Sequence, residues 1–352
     1  MAITLRDVAL HAQLSQATVS RALGDYGKVS ATAKKRALQA AEELGYRPNA
    51  VARALVSGST KTIGLIVSDI ENPFFATVAR GLSDTVEPDG YMVLLANSNE
   101  DLEEERRAVN AFHRRLVDAL VVAPASASEG SHLLSPDRSV PLALIDRAVR
   151  GLHVDTVLVD NRGAAVSCVN HLLSLGHRTI GVVSDHPEIG SSSERLRGYR
   201  HALKSAGVAV DPELVALTSP TRRSAHDAAI RLLQDHPEIT AIFTTSNFMT
   251  VGVFQAIREL GLKVPEQLAL VGFDDLDWTT LVDPPLTVVA QPAEQIGREV
   301  GQTVLARLRG DQGRPRRIRL KTRLIVRASA GELLSRAAET PVATPNGADD
   351  EL

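Results

Sequence analysis

LRDVALHAQLSQATVSRALG, residues 5–24, is the stretch whose reading decides the amino-terminal fold. Thr4 precedes it and Asp7 follows three residues later. The hydroxyl can cap the free N–H groups of a first turn, and the carboxylate suits the positive end of a helix dipole. A first helix is therefore expected from about Leu5 to His11. Ser15 is the natural cap of a second helix, in which Val19 and Leu23 are spaced i, i+4 with Ala22 beside them. That side faces the first helix, so Gln16, Ala17, Ser20 and Arg21 point the other way. Two short helices with a tight turn, the second presenting small, amide and guanidinium groups, make a helix-turn-helix unit that reads DNA. Gln can bond an adenine edge and Arg a guanine edge, while hydroxyls such as those of Thr4, Ser15, Thr18 and Ser20 suit phosphates. A third helix is expected after Ser30, with apolar Ala37, Leu38, Ala41 and Leu44 and with Gly45 as its stop. Its Lys34, Lys35 and Arg36 are left for the DNA backbone.

The charge distribution agrees with this reading. Residues 1–60 hold eight Lys/Arg against four Asp/Glu, a balance of +4, while the rest of the 352 residues hold 31 against 38, a balance of −7. A basic head on an acidic body meets a polyanion with its head. The single cysteine, Cys168, cannot form an internal disulfide and is read as a buried structural thiol. Arg6, Asp7 and His11 interrupt the first apolar residues, and no run reaches the roughly 20 apolar residues that span a membrane. The expected location is the cytoplasm.

From Thr62 onward, short β-branched runs alternate with segments of helical periodicity. IGLIV, MVLLA, ALVVA, LALID and TVLVD come first, followed by TIGVV, LVALT, AIFTT and LALVGF. Near-continuous apolar strands divided by helices indicate parallel sheets covered on both faces. The series is long enough for two sheets, hence two lobes. Such sheets bind ligands beyond the carboxyl ends of their strands. Several polar and aromatic residues fall there: Asp69, Asn72, Phe74 and Phe75 after IGLIV, Asp146 and Arg147 after LALI, Arg195 after the TIGVV unit, Ser246 and Asn247 after AIFTT, and Asp274 after LALVGF, with Trp278 close behind.

TVSRAL, VSATAKKRALQAAEELGYRPNAVARAL and TIGLIVSDIENPFF closely resemble the lac repressor (LacI/GalR) family of bacterial regulators. The similarity continues, in order and spacing, through VDNRGAA, HLLSLGHRTIGVV, ERLRGY, TAIFTTSNFM, VPEQLALVGFDD and PPLTVVAQP, and covers residues 3 to about 330. The resemblance implies that Gln16, Ala17 and Arg21 read bases. It also implies a hinge helix from about Asn49 to Val56, with Asn49, Ala52 and Arg53 at the minor groove and Leu55 wedged between base pairs. An eight-residue helix is unstable alone in water, so it should form only when held by DNA and a partner hinge. The competing reading is a flexible linker with Leu55 packed on the body. For the body, the resemblance implies the two-lobed α/β fold of type I periplasmic binding proteins, with the chain passing between lobes near Asp160, Gln291 and Lys321.

The organisation expected is therefore a headpiece over 1–45, a hinge over 46–60 and a body over 61–333. Lobe one takes about 61–160 and 291–320, and lobe two about 161–290 and 321–333. An acidic tail over 334–352, low in periodicity, is read as disordered. The resemblance makes Arg195 and Asp274 the pair that grips polar groups of an effector, and Phe74 and Phe75 an aromatic edge that stacks on it. An Asp that accepts and an Arg that donates suit neighbouring hydroxyls of a sugar or polyol. Plainer roles compete: an ion pair between lobes for Arg195 and Asp274, core packing for Phe74 and Phe75, caps for Asp69, Asn72, Asp146 and Arg147. Three departures from the family stand out. Gln13 replaces a frequent turn Gly, Ser246-Asn247 replaces an Asn-Asp pair, and Pro220 stands where some relatives have an aromatic.

Catalytic constellations are missing from the sequence: there is no HExxH, CxxC or phosphate-binding loop. His177 begins a strand, and His186 and His236 precede Pro-Glu. No cofactor, metal or catalytic residue is expected. A plain solute-binding protein is the rival reading, and it would leave Arg21 and Leu55 idle. Partners expected are near-palindromic duplex DNA, a small-molecule effector and a second copy of the chain, with higher oligomers open and no membrane.

Overall fold

The computed structural model describes residues 3–24, 27–46, 58–135 and 139–332. The expected hinge residues Asn49, Ala52, Arg53 and Leu55, and the tail over 334–352, lie outside them.

Three helices form the headpiece: α1 (Leu5–Ala12), α2 (Gln16–Gly24) and α3 (Ala31–Glu43). A capping box closes α1, because the Thr4 hydroxyl accepts from Asp7 N–H while Asp7 accepts from Thr4 N–H at 2.9 Å. Gln13 ends α1 with φ +50°, the left-handed conformation that a Gly would adopt without strain. Ser15 Oγ accepts from Thr18 N–H at 3.1 Å, and Ser30 Oγ accepts from Ala33 N–H at 3.3 Å. Val8, Ala9, Ala12, Val19, Ala22, Ala37, Ala40 and Ala41 make the small core. Leu38 is not among them: it is 50% exposed, and Ala40 takes the inward place. Ala37, Ala40, Ala41 and Leu44 lie on one stripe of α3 at helical spacing, and Leu38 falls beside that stripe.

The chain divides into two compact units. The first comprises Met1–Asp160, Glu188–Ser191 and Pro292–Lys321; the second comprises Asn161–Pro187, Ser192–Gln291 and Thr322–Leu352. Besides the headpiece, unit 1 contains β1 (Thr62–Val67), α4 (Pro73–Val86), β2 (Met92–Asn97), α5 (Leu102–Arg114), β3 (Ala119–Val122), β4 (Leu142–Ile145) and β5 (Asp155–Val159). In unit 2 come α6 (Asn161–Ser174), β6 (Ile180–Asp185), β7 (Val215–Thr218), α8 (Arg222–Asp235), β8 (Ala241–Thr244), α9 (Asn247–Glu259), β9 (Ala269–Phe273), α10 (Trp278–Leu281) and β10 (Thr287–Ala290). Helix α7 (Gly190–Ser205) begins within the segment grouped with unit 1. Helix α11 (Ala293–Leu308) and β11 (Arg317–Leu320) then complete unit 1, and β12 (Arg323–Ile325) completes the sheet of unit 2.

Both sheets have six strands, in the orders β11-β5-β4-β3-β1-β2 and β12-β10-β9-β8-β6-β7. Every pairing in the first is parallel. The second departs from the all-parallel expectation at one place, since β12 runs antiparallel to β10 on the sheet edge, a frequent position for such a strand. The central strands are buried on both faces, as ALVV and LALI show. Helices α4 and α11 cross closely where glycines permit it. A Cβ on Gly297 would stand 2.2 Å from the Val78 carbonyl oxygen, and one on Gly81 2.3 Å from that of Glu294.

Candidate functional site

On the headpiece, Gln16, Ala17 and Arg21 are exposed on α2, opposite buried Val19 and Ala22. The local sequence produces this split, because its only inward-facing branched and small groups recur at helical spacing. Arg21 Nε donates to the Ala17 carbonyl at 3.1 Å, which lays the guanidinium along its own helix. Ser15 and Thr18 hydroxyls are 2.8 Å apart, and Ser20 is half-buried. The Thr4 hydroxyl donates to Asp7 Oδ2 at 2.7 Å; that hydrogen bond, with the one from Thr4 N–H, lowers the Asp7 carboxyl from its ordinary range. Arg36 is exposed, and its Nη2 donates to the Ala12 carbonyl at 2.6 Å and so ties α3 to the end of α1.

In unit 1 the strands' carboxyl ends bring together a buried charged group. Arg147 is 7% exposed. Its Nη1 and Nη2 donate to the two Glu100 oxygens at 2.5 and 2.6 Å, and its Nε donates to Asp146 Oδ2 at 2.9 Å. Burial opposes ionisation of Glu100, but the Arg147 charge and hydrogen bonds, with one from Ser68, outweigh it and hold the carboxyl below its usual range. Glu100 went unforeseen in the sequence, although its place after β2 matches the rule that singled out the other residues. Asn72 takes the plainer role: its Oδ1 caps α4 by accepting from Phe74 N–H at 3.1 Å. Phe74 and Phe75 belong to the core of this unit, edge to face at 5.0 Å, so their rings are packed by protein rather than free to stack on a ligand.

Unit 2 presents a second polar group. Arg195, 4% exposed, donates from Nε to Asn161 Oδ1 at 2.8 Å and from Nη1 to the Thr245 carbonyl at 2.6 Å. Its guanidinium lies 3.6 Å from the centre of the Phe273 ring, a cation–π arrangement that fixes the plane of the fork. Asp274 accepts from Gln291 Nε2 at 2.6 Å. Trp278 Nε1 donates to Asn247 Oδ1 at 3.1 Å, so these two are held together. Ser246 stands at the start of α9 without a side-chain capping bond. Arg195 and Asp274 both belong to unit 2. Sequence reading did not single out Asn161, Phe273 and Gln291 as site residues, although each lies in a quoted stretch (VDNRGAA, LALVGFDD, VVAQP); they act by holding other side chains.

The remaining candidates have structural roles. His177, 1% exposed, lies 3.0 Å from both Thr240 Oγ1 and the Gly331 carbonyl; burial lowers its basicity despite the latter bond. Cys168 is fully buried, which pushes its thiol up. Among the described residues no group of three or more His, Cys, Asp or Glu could hold a metal ion, and no helix is long and apolar enough to cross a membrane.

Two family models match the chain: the lacI family of bacterial regulatory proteins over residues 4–49, and a periplasmic binding protein-like domain over residues 169–330. The transcriptional repressor CytR of Escherichia coli is 34% identical over 94% of this chain and 97% of its own. The chain belongs to the LacI family. The transcriptional regulator PtxS of Pseudomonas putida is 35% identical over 93% of this chain and 96% of its own. Among solved structures, the regulator CelR in complex with cellobiose is 30% identical, with a TM-score of 0.71 over 93% of this chain and 99% of that one. The lac repressor dimer bound to operator and the anti-inducer ONPF shares the fold at 22% identity, with a TM-score of 0.82 over 94% and 100%. This LacI-family chain therefore has the helix-turn-helix and two-lobed α/β architecture of transcriptional regulators.

Proposed function

We propose that the chain is a repressor without enzymatic activity, acting in the cytoplasm, whose affinity for a near-palindromic operator is set by a small polyhydroxylated effector, a sugar or polyol. The observation that carries the effector class is the Arg195 fork, held flat on Phe273 by Asn161 and the Thr245 carbonyl, in the same unit as Asp274 and the Trp278–Asn247 pair. A fixed donor fork and a carboxylate acceptor match neighbouring hydroxyls. Support comes from relatives whose structures contain cellobiose or ribose. In unit 1, Asp146 and Arg147 are proposed as effector-binding residues in their own right. The Arg147 charge is already met by Glu100 and Asp146, which disfavours an anionic ligand there.

Gln16, Ala17 and Arg21 are proposed to read bases, with Thr4, Ser15, Thr18 and Ser20 on phosphates. Two copies bind together, because one recognition helix buries too little surface for specific affinity. The proposed divisions are 1–45 for the headpiece, 46–60 for the hinge and 61–333 for the body. A coupling of about 1–3 kcal/mol between effector and operator would change affinity 5- to 150-fold.

The test is selection of bound duplexes from random oligonucleotides by the purified protein, repeated with cellobiose, ribose and nucleosides present. A palindrome whose enrichment one sugar alters supports the reading. Recovery of no preferred sequence overturns it, and a nucleoside as the active compound overturns the sugar assignment.

A further inference from the structure

Ser59, Thr60 and Lys61 are the last residues before β1, and unit 1 grips them from both sides. Asp118, immediately ahead of β3, accepts from the Ser59 hydroxyl, from Thr60 N–H at 2.8 Å and from Lys61 N–H at 3.0 Å. The Thr60 hydroxyl lies between Asp118 Oδ1 at 3.0 Å and the Leu116 carbonyl at 2.8 Å. From the β2 side, Met92 N–H donates to the Lys61 carbonyl at 2.9 Å. The Lys61 ammonium sits 4.2 Å from the centre of the Tyr91 ring and 3.3 Å from the Asp89 carbonyl. Lys61 is thereby held at φ +54°, a conformation that a lysine adopts only where its surroundings impose it.

Ending a strand does not require this much. The ladder is already closed by Asp118 N–H donating to the Thr62 carbonyl at 2.8 Å. The Asp118 carboxylate, whose two oxygens offer about four acceptor positions, extends the hold three residues beyond the ladder. It does so on the segment that leads back to the DNA-reading helices. One residue earlier, Gly58 is exposed and has φ +69°, and a Cβ there would meet nothing within 4 Å.

We propose that Asp118 is the positioning residue that fixes where the DNA-reading segment leaves the body, with Gly58 as the adjoining joint. Movement of the amino-terminal end of β1 and β3 then passes to residue 59 without slack. This rests on the operator-binding reading above, and the test separates the two.

Asp118→Ala and Asp118→Asn are compared with the parent by hydrogen exchange and by binding to the selected duplex and to a scrambled duplex of equal length. For Asp118→Ala, protection of the Thr60 and Lys61 amides is expected to fall at least tenfold, while Leu65 and Val121 keep theirs. The ratio of affinities for selected over scrambled duplex should fall at least tenfold, with scrambled-duplex affinity within twofold of the parent. Asp118→Asn, which keeps one acceptor oxygen, should lie between. An unchanged ratio in Asp118→Ala, or equal loss on both duplexes, overturns the positioning role. If the parent itself does not discriminate, the operator reading fails instead. The exchange result then decides the clamp, and unchanged protection at Thr60 and Lys61 overturns it.

Discussion

Asp146 and Asp274 occupy corresponding positions in the two sheets. Each directly follows the third strand of its sheet order, β4 in one and β9 in the other, and each has a left-handed backbone, with φ +62° and +71°. Aspartate tolerates this region better than most residues, yet it still costs about 1 kcal/mol or more. Two sheets that spend this strain at the same place direct a carboxylate from the same strand end.

Asp274→Asn keeps the shape, the tolerance of positive φ and an acceptor for Gln291, and removes only the charge. Effector affinity measured by titration calorimetry should fall at least tenfold, while the melting temperature stays within a few degrees of the parent. An unchanged affinity would remove Asp274 from the effector site.

Among the described residues, the Arg147 fork is the cationic partner of Glu100. Arg147→Ala leaves that carboxylate buried beside Asp146, a class of change that costs about 3–5 kcal/mol. Chemical denaturation of the variant measures it, and a loss below about 1 kcal/mol would show that water replaces the guanidinium.

Glu100 also gives a pH dependence. Its folded-state carboxyl titrates below its ordinary value near 4.5. The folded chain therefore binds fewer protons than the unfolded chain in the acid range, so the stabilisation is complete above about pH 5 and is lost as pH falls through the folded value. Glu100→Gln should flatten the acid limb of a stability–pH curve, and a limb of unchanged slope would assign acid sensitivity elsewhere.

Gly297→Ala places a methyl 2.2 Å from a backbone oxygen of α4. Backbone cannot rotate out of the way as a side chain can, so the two helices must separate, at about 1–3 kcal/mol. Thermal unfolding should report this, and an unchanged transition would mean that the crossing is looser than it looks.

Arg21→Ala should weaken binding to the selected duplex by about 1–3 kcal/mol and relax preference at one base pair. Competition among single-base variants distinguishes this from a phosphate contact, which would weaken all of them alike.

The strands legible in the sequence were those with continuous apolar runs, whether buried on both faces like ALVV or partly exposed at a sheet edge like MVLLAN. β10, β11 and β12 were not among the runs read as strands. RIRL alternates charge with apolar groups and has one face in water, and RLI is only three residues long. The headpiece was visible through caps and helical spacing, and even Gln13 was anticipated as the residue in a glycine's place. At the strand ends, sequence position singled out Arg147, Arg195 and Asp274, which are buried and hydrogen-bonded, but could not tell that the rings of Phe74 and Phe75 pack in the core. Residues that hold others, such as Asp118 with Ser59 or Asn161 with Arg195, come from segments 34 to 59 positions apart, so nothing local in the sequence pairs them.

Strand β11 completes the first sheet by pairing with β5, and α11 packs on α4, although the whole of β6 to β10 is made in between. At translation rates of about 5–20 residues per second, that interval is roughly 8–30 seconds. During synthesis the first sheet must therefore wait, with β5 as a bare edge and the groove over α4 unfilled, until the chain's closing segment leaves the ribosome. The half that is made first is among the last to be finished, and a nascent chain stopped before residue 317 owns neither unit in complete form.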